Sequence, residues 1–280
     1  MIGVYDSGFG GLTVLRRLRE RLPSHDFLYL GDSGRAPYGG RDAHTLLDFA
    51  EQCVERLFDE GCRLVIVACN TVSCVALRHL QRRYAGPASP RRILGVTIPA
   101  AEAAVAASAG HVGVIATART VSSGTFVTEI QKLAPGLRVS QRAAPLLAPL
   151  VEEGWEGSDI ARLAVARYVA DLPGIDTLVL GCTHYPLLLP AFRAVFPGAI
   201  LDPAPHAAEG LAGWLRRHPG FDDPGSGALA FLCSGDPASF RVHGARFLGA
   251  PITEVGHIAE ENGRLQRRAS VQILTGQILR

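Results

Sequence analysis

Leu64-Val65-Ile66-Val67-Ala68-Cys69-Asn70-Thr71 decides the fold, because the chain holds a counterpart, Leu178-Val179-Leu180-Gly181-Cys182-Thr183-His184-Tyr185-Pro186. Each is a short apolar run rich in β-branched residues, as expected of a strand buried in a parallel sheet, and a helical pattern follows. Each opens into polar residues at a thiol, at the carboxyl end of its strand, where open α/β sheets hold their ligands. Two such thiols, one from each half, can approach a single carbon atom from opposite faces. That geometry suits moving a proton across a stereocentre.

Outward from these runs, strand and helix patterns alternate. Strands are expected at 2–5, 27–30, 64–68, 93–96, 112–116, 138–142, 177–180, 199–201 and 228–232. The clearest helices are expected at 12–21, 43–60, 75–84, 121–133, 160–170 and 240–247. Such alternation predicts an α/β fold of mostly parallel sheets flanked by helices. Gly113-Val114 stands 110 residues after Gly3-Val4, and Cys182 stands 113 after Cys69. Motifs repeating in order at nearly one offset suggest two duplicated, pseudo-symmetric halves facing each other. Pro87-Ala88-Ser89-Pro90 reads as the crossing between them and 203–205 as the return. The expected division is a first α/β domain of 1–92 plus 207–280 and a second of 93–206.

The composition narrows the function. With 48% hydrophobic and 19% charged residues, the 280-residue chain is globular rather than disordered. A net charge of +2 offers no electrostatic case for nucleic acid. No apolar stretch approaches the length of a membrane span, and no signal peptide is visible, so a cytoplasmic protein is expected. Its six cysteines then read as reduced thiols. Lys132 is the only lysine and reads as an exposed helix end. Pyridoxal chemistry, which needs a Schiff-base lysine, is therefore not expected.

Several segments carry chemistry. In Asp6-Ser7-Gly8-Phe9-Gly10-Gly11-Leu12-Thr13 a strand enters a glycine-rich turn and then a helix, whose free N–H groups suit a carboxylate. Thr13 replaces the third glycine of the dinucleotide fingerprint, so that motif is excluded. Asp6 suits an ammonium group or a neighbouring thiol, although an N-cap acid reads as well. Gly31-Asp32-Ser33-Gly34-Arg35-Ala36-Pro37-Tyr38-Gly39-Gly40 follows a strand end and is placed to cover a site. Asn70, Thr71 and Thr183 can grip a carboxylate or amine without fixing a charge. His184 can relay a proton to Cys182, and a following helix would favour the thiolate at both cysteines. Cys53, Cys62, Cys74 and Cys233 have no such setting and read as structural. Glu152, in an acid pair at a helix end, reads as the second half's counterpart to Asp6 or as solvated surface.

Taken together, 6–14, 31–39, 68–71, 113–117, 180–188 and 234–237 resemble the glutamate racemases, of the aspartate/glutamate racemase family. The matches run in order over nearly the whole chain. The resemblance implies a cofactor-independent and metal-free enzyme that makes D-glutamate for bacterial peptidoglycan, with its site in the cleft between two α/β domains. It implies that Cys69 deprotonates the D enantiomer and Cys182 the L enantiomer, assisted by Asp6, His184 and Glu152. Substrate contacts are implied for Asp6, Ser7, Pro37, Tyr38, Gly39, Asn70, Thr71, Thr117, Thr120, Thr183 and His184. Homodimers are common in such a family, and no nucleic-acid or membrane partner is implied. The chain departs from the pattern at Ser33-Gly34, where Thr-Ala is expected. Regulation through a long N-terminal extension is not expected. Arg264, Arg267 and Arg268 lie beyond the matched part and have no functional reading.

Other readings stay open at this point. An aspartate racemase or a decarboxylase on the same scaffold would differ only in side chains the sequence does not place. A zinc hydrolase would use Cys69, Cys74, Cys182 and His184, yet no CxxC pair or HExxH run is present. A non-catalytic binding module would have no use for paired strand-end thiols.

Overall fold

The computed structural model describes residues 1–86 and 88–268. Pro87, the first residue of the expected crossing, and 269–280, the end of the expected first domain, lie outside the described residues. In the first stretch β1 (Ile2–Asp6), β2 (Phe27–Gly31), β3 (Leu64–Val67) and β4 (Arg92–Gly95) alternate with α1 (Leu12–Arg21), α2 (Ala43–Asp59), α3 (Asn70–Val75) and α4 (Leu77–Tyr84). Next come α5 (Thr97–Ala107), β5 (His111–Ala116), α6 (Ala118–Ser123), α7 (Thr125–Leu133), β6 (Arg138–Ala143) and α8 (Leu147–Glu152). They are followed by α9 (Asp159–Ala170), β7 (Thr177–Gly181), α10 (Leu189–Val195) and β8 (Ala199–Leu201). The chain continues through α11 (Pro203–Arg217), β9 (Leu229–Cys233), α12 (Pro237–Leu248), β10 (Gly256–Glu261) and β11 (Arg264–Arg267).

The strands form a seven-stranded sheet, β11-β10-β9-β2-β1-β3-β4, and a four-stranded one, β6-β5-β7-β8. All pairings are parallel except β10 with β11. The order β2-β1-β3-β4 recurs as β6-β5-β7-β8, so the second sheet repeats the middle of the first. The register repeats as well: Gly3 pairs with Val65 and Gly113 with Leu178. Cys69 and Cys182 therefore leave equivalent strands of the two sheets, just past β3 and β7.

Some boundaries differ from those read in the sequence. The strand expected at 93–96 was assigned to the second domain, but β4 pairs with β3, Leu64 opposite Arg92, and forms an edge of the first sheet. It ends the crossover through α4, and a strand returning over a helix pairs naturally with the strand that preceded it. The return expected at 203–205 is instead the first turn of α11, with Pro203 inside the helix start and the Asp202 side chain accepting from Ala204 N at 2.9 Å. The boundary expected between 206 and 207 thus falls within one helix.

That helix packs against both α1 and α5. Its Ala204, Ala207, Ala208, Leu211 and Leu215 join Leu12, Leu15 and Phe27 to Leu178, Leu180 and Tyr185 in one buried apolar cluster. The two units therefore share a core, and the burial that stabilises each also holds them together.

Two expected helices are broken. The one at 75–84 divides at Ala76 into α3 and α4, and the one at 121–133 divides at Gly124, whose φ of +66° is left-handed. The expected helix directly after Cys182 is a 3-10 turn, Tyr185–Leu188, that leads into α10. Two strands at one end of the larger sheet, β10 and the edge strand β11, were not expected. Arg267 on β11 meets Glu60 with Nε at 2.7 Å and Nη2 at 2.8 Å, and Arg268 pairs with Glu261 at 2.9 Å. Two of the unassigned basic residues thus pin the ribbon in place. No helix among the described residues is long and apolar enough to cross a membrane.

Candidate active site

The strand ends of the two sheets enclose a cavity of about 270 Å³. From the first unit come Ser7 and Gly8 after β1, 36–40 after β2, and Cys69, Asn70 and Thr71 after β3. From the second come Thr117 and Ala118 after β5, Pro145, Ala148, Pro149 and Glu152 after β6, and 182–185 after β7. A cavity at the small end of ligand pockets suits a small molecule. Among the described residues no lysine or arginine lines it, so a carboxylate there meets hydroxyls, an amide and the His184 ring.

Cys69 is the N-cap residue of α3 and is buried, with Sγ 3.6 Å from Ser7 Oγ. Burial pushes its thiol up to about 12, and the charge of Asp6 pushes the same way. The backbone N–H of Val72 and the Ser7 hydroxyl favour the thiolate but do not prevail. The helix start thus acts in the expected direction, favouring the thiolate, but desolvation outweighs a six-residue helix. Among the other groups acting on Cys69 is Cys182, so charge on one sulfur disfavours charge on the other.

Asp6 is fully buried at the end of β1 and does not line the cavity. Its Oδ2 accepts from Gly8 N at 2.9 Å, while Oδ1 has no hydrogen-bond partner among the described residues. Burial raises its carboxyl above the ordinary range, while His184 and the N–H groups of Gly11 and Gly8 pull it down. Its charge bears on the Cys69 thiol and on the His184 ring.

On the other wall, Cys182 Sγ lies 3.8 Å from His184 Nδ1, and His184 Nε2 lies 2.9 Å from Glu152 Oε1. Burial alone would lower the His184 ring, but its contacts with Cys182 and Glu152 prevail and raise it to about 10. Glu152 is half-exposed; its burial works to raise its carboxyl, but His184, His243 and Arg246 together hold it below the ordinary range. Sulfur, imidazole and carboxylate thus form a proton-handling line that ends in the cavity. Glu152 is not the topological counterpart of Asp6. The residue equivalent to Asp6 at the end of β5 is Ala116, and Glu152 arrives from the end of α8.

The glycine-rich turn owes its composition to close approach. A Cβ on Gly10 would lie 2.2 Å from Thr183 Oγ1 and 2.6 Å from His184 Nδ1, and one on Gly11 would lie 2.4 Å from Asp6 Cβ. Thr13 Oγ1 donates to Gly10 O at 2.9 Å and to Thr183 O at 3.3 Å, which ties this turn to the opposite unit.

A second inter-unit tie is a hydroxyl cluster. Thr71 Oγ1 lies 3.0 Å from Thr117 Oγ1 and 3.2 Å from Thr120 Oγ1, and the last two lie 3.0 Å apart. Thr117 caps α6, which turns the fully buried Thr120 behind the wall. Thr120 is therefore a support for Thr71 and Thr117 rather than a lining residue. Tyr38 is held from behind: Tyr5 donates to its hydroxyl at 3.3 Å, and it donates to Asp32, which Arg35 Nε meets at 2.7 Å and Ser234 Oγ at 2.5 Å.

Of the residues expected to bind or act, Ser7, Pro37, Tyr38, Gly39, Cys69, Asn70, Thr71, Thr117, Glu152, Cys182, Thr183 and His184 all line this one cavity. Not foreseen as lining were Gly8, Ala36, Gly40, Ala118, Pro145, Ala148, Pro149 and Tyr185. The signal for Pro145, Ala148 and Pro149 was available, since they follow a strand of the repeated sheet. Cys74 faces Thr97 Oγ1 at 3.6 Å and lines a separate cavity of about 300 Å³ behind α3 that holds neither strand-end thiol. The four zinc ligands considered above therefore do not converge.

The comparisons with known proteins follow the same lines. The family profile of the Asp/Glu/Hydantoin racemases matches residues 12–211. A glutamate racemase of Neisseria gonorrhoeae is 40% identical over 260 residues, covering 91% of this chain and 94% of that protein. The crystal structure of glutamate racemase from Francisella tularensis in complex with D-glutamate superposes with a TM-score of 0.85 at 30% identity, covering 92% of this chain and 97% of that one. The glutamate racemase from Thermus thermophilus in complex with beta-chloro-D-alanine superposes at 0.83 with 39% identity, covering 92% and 96%. With its duplicated sheets and paired strand-end thiols, this chain belongs to the Asp/Glu/Hydantoin racemase family and, within it, to the glutamate racemases.

Proposed function

We propose that the protein interconverts L- and D-glutamate without a cofactor, passing the α-proton between Cys69 and Cys182. The observation that carries this reading is the arrival of two thiols, from equivalent strands of two sheets, at one small cavity. With L-glutamate bound, Cys182 as thiolate takes the α-proton and the Cys69 thiol delivers its own proton to the opposite face. Cys182 ends as thiol and Cys69 as thiolate, which is the form that meets D-glutamate. The two enantiomers are thus served by differently protonated enzyme.

The surroundings support this division. A Cys69 thiol raised to about 12 is neutral at ordinary pH and ready to donate. The imidazolium of His184 meets the charge that comes and goes on Cys182, and Glu152 holds the ring in place. Ser7, Asn70, Thr71, Thr117 and Thr183 offer donors to the substrate carboxylates as charge develops at the α-carbon. The charge of Asp6 resists a permanent negative charge on the Cys69 sulfur.

The product would supply bacterial peptidoglycan synthesis. A cytoplasmic setting fits six cysteines that are all free. A homodimer is carried over from the family resemblance, and light scattering of the purified protein tests it.

Incubation with L-glutamate in D₂O, followed by optical rotation and NMR, tests the reaction. Rotation should decay to zero as the α-position takes up deuterium. Cys69→Ser and Cys182→Ser should each abolish racemisation in both directions, and full activity in Cys182→Ser would overturn the two-thiol mechanism. Exchange with aspartate but not glutamate would keep the chemistry and change the substrate.

A further inference from the structure

The proton-handling line on the second unit is held from the first by a helix that no part of the mechanism uses. That helix, α12, follows β9 of the seven-stranded sheet and reaches the end of α8 through Arg246. Arg246 Nη2 donates to the carbonyl of Val151, the residue before Glu152, and Arg246 Nε lies 3.7 Å from Glu156 Oε1. The approach requires the glycine at 154: its φ is +76°, and a Cβ there would sit 3.0 Å from Arg246 Nη1. One residue on, Phe247 meets the His184 ring edge-on at 5.2 Å between centroids. Phe9, from the glycine-rich turn, packs against Phe247 and His243 at 6.3 and 5.6 Å. One turn of α12 thus touches the backbone beside Glu152 and the ring of its partner His184, yet Arg246 does not line the cavity.

We propose that Arg246 is a positioning residue for the racemisation: reaching across from α12, it fixes the end of α8 and so sets the carboxylate of Glu152 against His184. The inference rests on the racemase reading, because a fixed Glu152 matters only if His184 serves Cys182. The groups facing Glu152 are His184 from the turn after β7 and His243 and Arg246 from α12, with Asp6 beyond His184 and Glu156 beside Arg246. Losing the guanidinium removes both a tether and a nearby cation, which raises the Glu152 carboxyl and weakens its hold on the ring.

Arg246→Ala should lower kcat/KM about tenfold, as displacement of a supporting group does in a tightly positioned site. The factor must be the same in both directions, because enantiomers have equal free energy in water and their equilibrium constant is one. The acid limb of the kcat/KM profile should move to higher pH by about half a unit. Arg246→Lys, which keeps the charge, should recover most of the loss. A second measurement needs no turnover: in protein with labelled histidines, the His184 ring, identified by its disappearance in His184→Gln, should titrate at lower pH in Arg246→Ala. Should Arg246→Ala fail to fold, Arg246→Gln keeps the length without the charge and carries the same test.

A wild-type protein that leaves glutamate untouched would sink the racemase reading, and the inference with it. An active wild type beside an Arg246→Ala variant with unchanged pH profile and unmoved His184 titration would overturn the inference alone. That holds even if the variant melts earlier.

Discussion

Gly10 has no room for a side chain, and its neighbours show what it protects. A Cβ placed there would meet Thr183 Oγ1 at 2.2 Å and His184 Nδ1 at 2.6 Å, both on the opposite wall of the cavity. Neither neighbour can withdraw freely, since His184 is held by Glu152 and Thr183 O accepts from Thr13. Gly10→Ala should therefore force the two walls apart. Overpacking of this kind costs about 1–3 kcal/mol, measured as a lower urea midpoint. The larger effect should be on kcat/KM, down about a hundredfold, because a shift of an ångström at Cys182 or His184 misaligns the proton transfer. A variant that melts earlier but racemises normally would mean that the turn is only a fold element. This much was partly legible in the sequence. The turn announced an anion site through its glycines, but its real constraint, the approach of residues 173 and 174 positions away, exists only once the two halves are docked.

At the scale of elements, the strands with apolar runs were readable because burial on both faces of a parallel sheet demands such runs. β10 and β11 escaped because, at the β11 end of the larger sheet, their runs Gly-His-Ile-Ala-Glu-Glu and Arg-Leu-Gln-Arg carry little apolar signal, with only Ile258 and Leu265 buried. α11 escaped because Pro203 and Pro205 read as a loop, whereas proline in the first turn starts a helix. The helices also differ in what their caps protect. The Ser158 hydroxyl accepts from Ala161 N at 3.1 Å at the start of α9, away from the cavity. Ser158→Ala should cost about 1 kcal/mol of stability and leave kcat/KM alone. Asp236 caps α12 through Ala238 N at 3.1 Å and Ser239 N at 2.9 Å, and α12 bears on His184 through Phe247. Asp236→Ala should lower the urea midpoint and kcat/KM together. Equal losses of activity in the two cap variants would mean that α12 has no special bearing on the site.

Over the whole molecule, the two units share one apolar core through α11, and Cys69, Cys182 and His184 are buried where the strand ends of both sheets meet. Stability should therefore depend on pH through this seam. His184 titrates at about 10 in the folded protein against an ordinary 6.5, so the folded state binds its proton more tightly than the unfolded chain does. Its contribution is complete below about pH 6.5, declines as pH rises, and is gone above about 10. Glu152 titrates below its ordinary 4.5 in the folded state, so its contribution is present above 4.5 and is lost as pH falls through the folded value. The pair should stabilise most between about 4.5 and 6.5, where both contributions are complete. Glu152→Gln removes the carboxylate while leaving Asp6 and Cys69 in place, so differences from wild type isolate the pair. Melting temperatures of wild type and Glu152→Gln, followed by calorimetry from pH 5 to 10, should differ most near pH 5–6.5 and converge as pH approaches 10. A constant difference across that range would mean that His184 does not hold its proton in the folded protein. Cys182 would then face a neutral ring, and the proton would have to reach the solvent by another route.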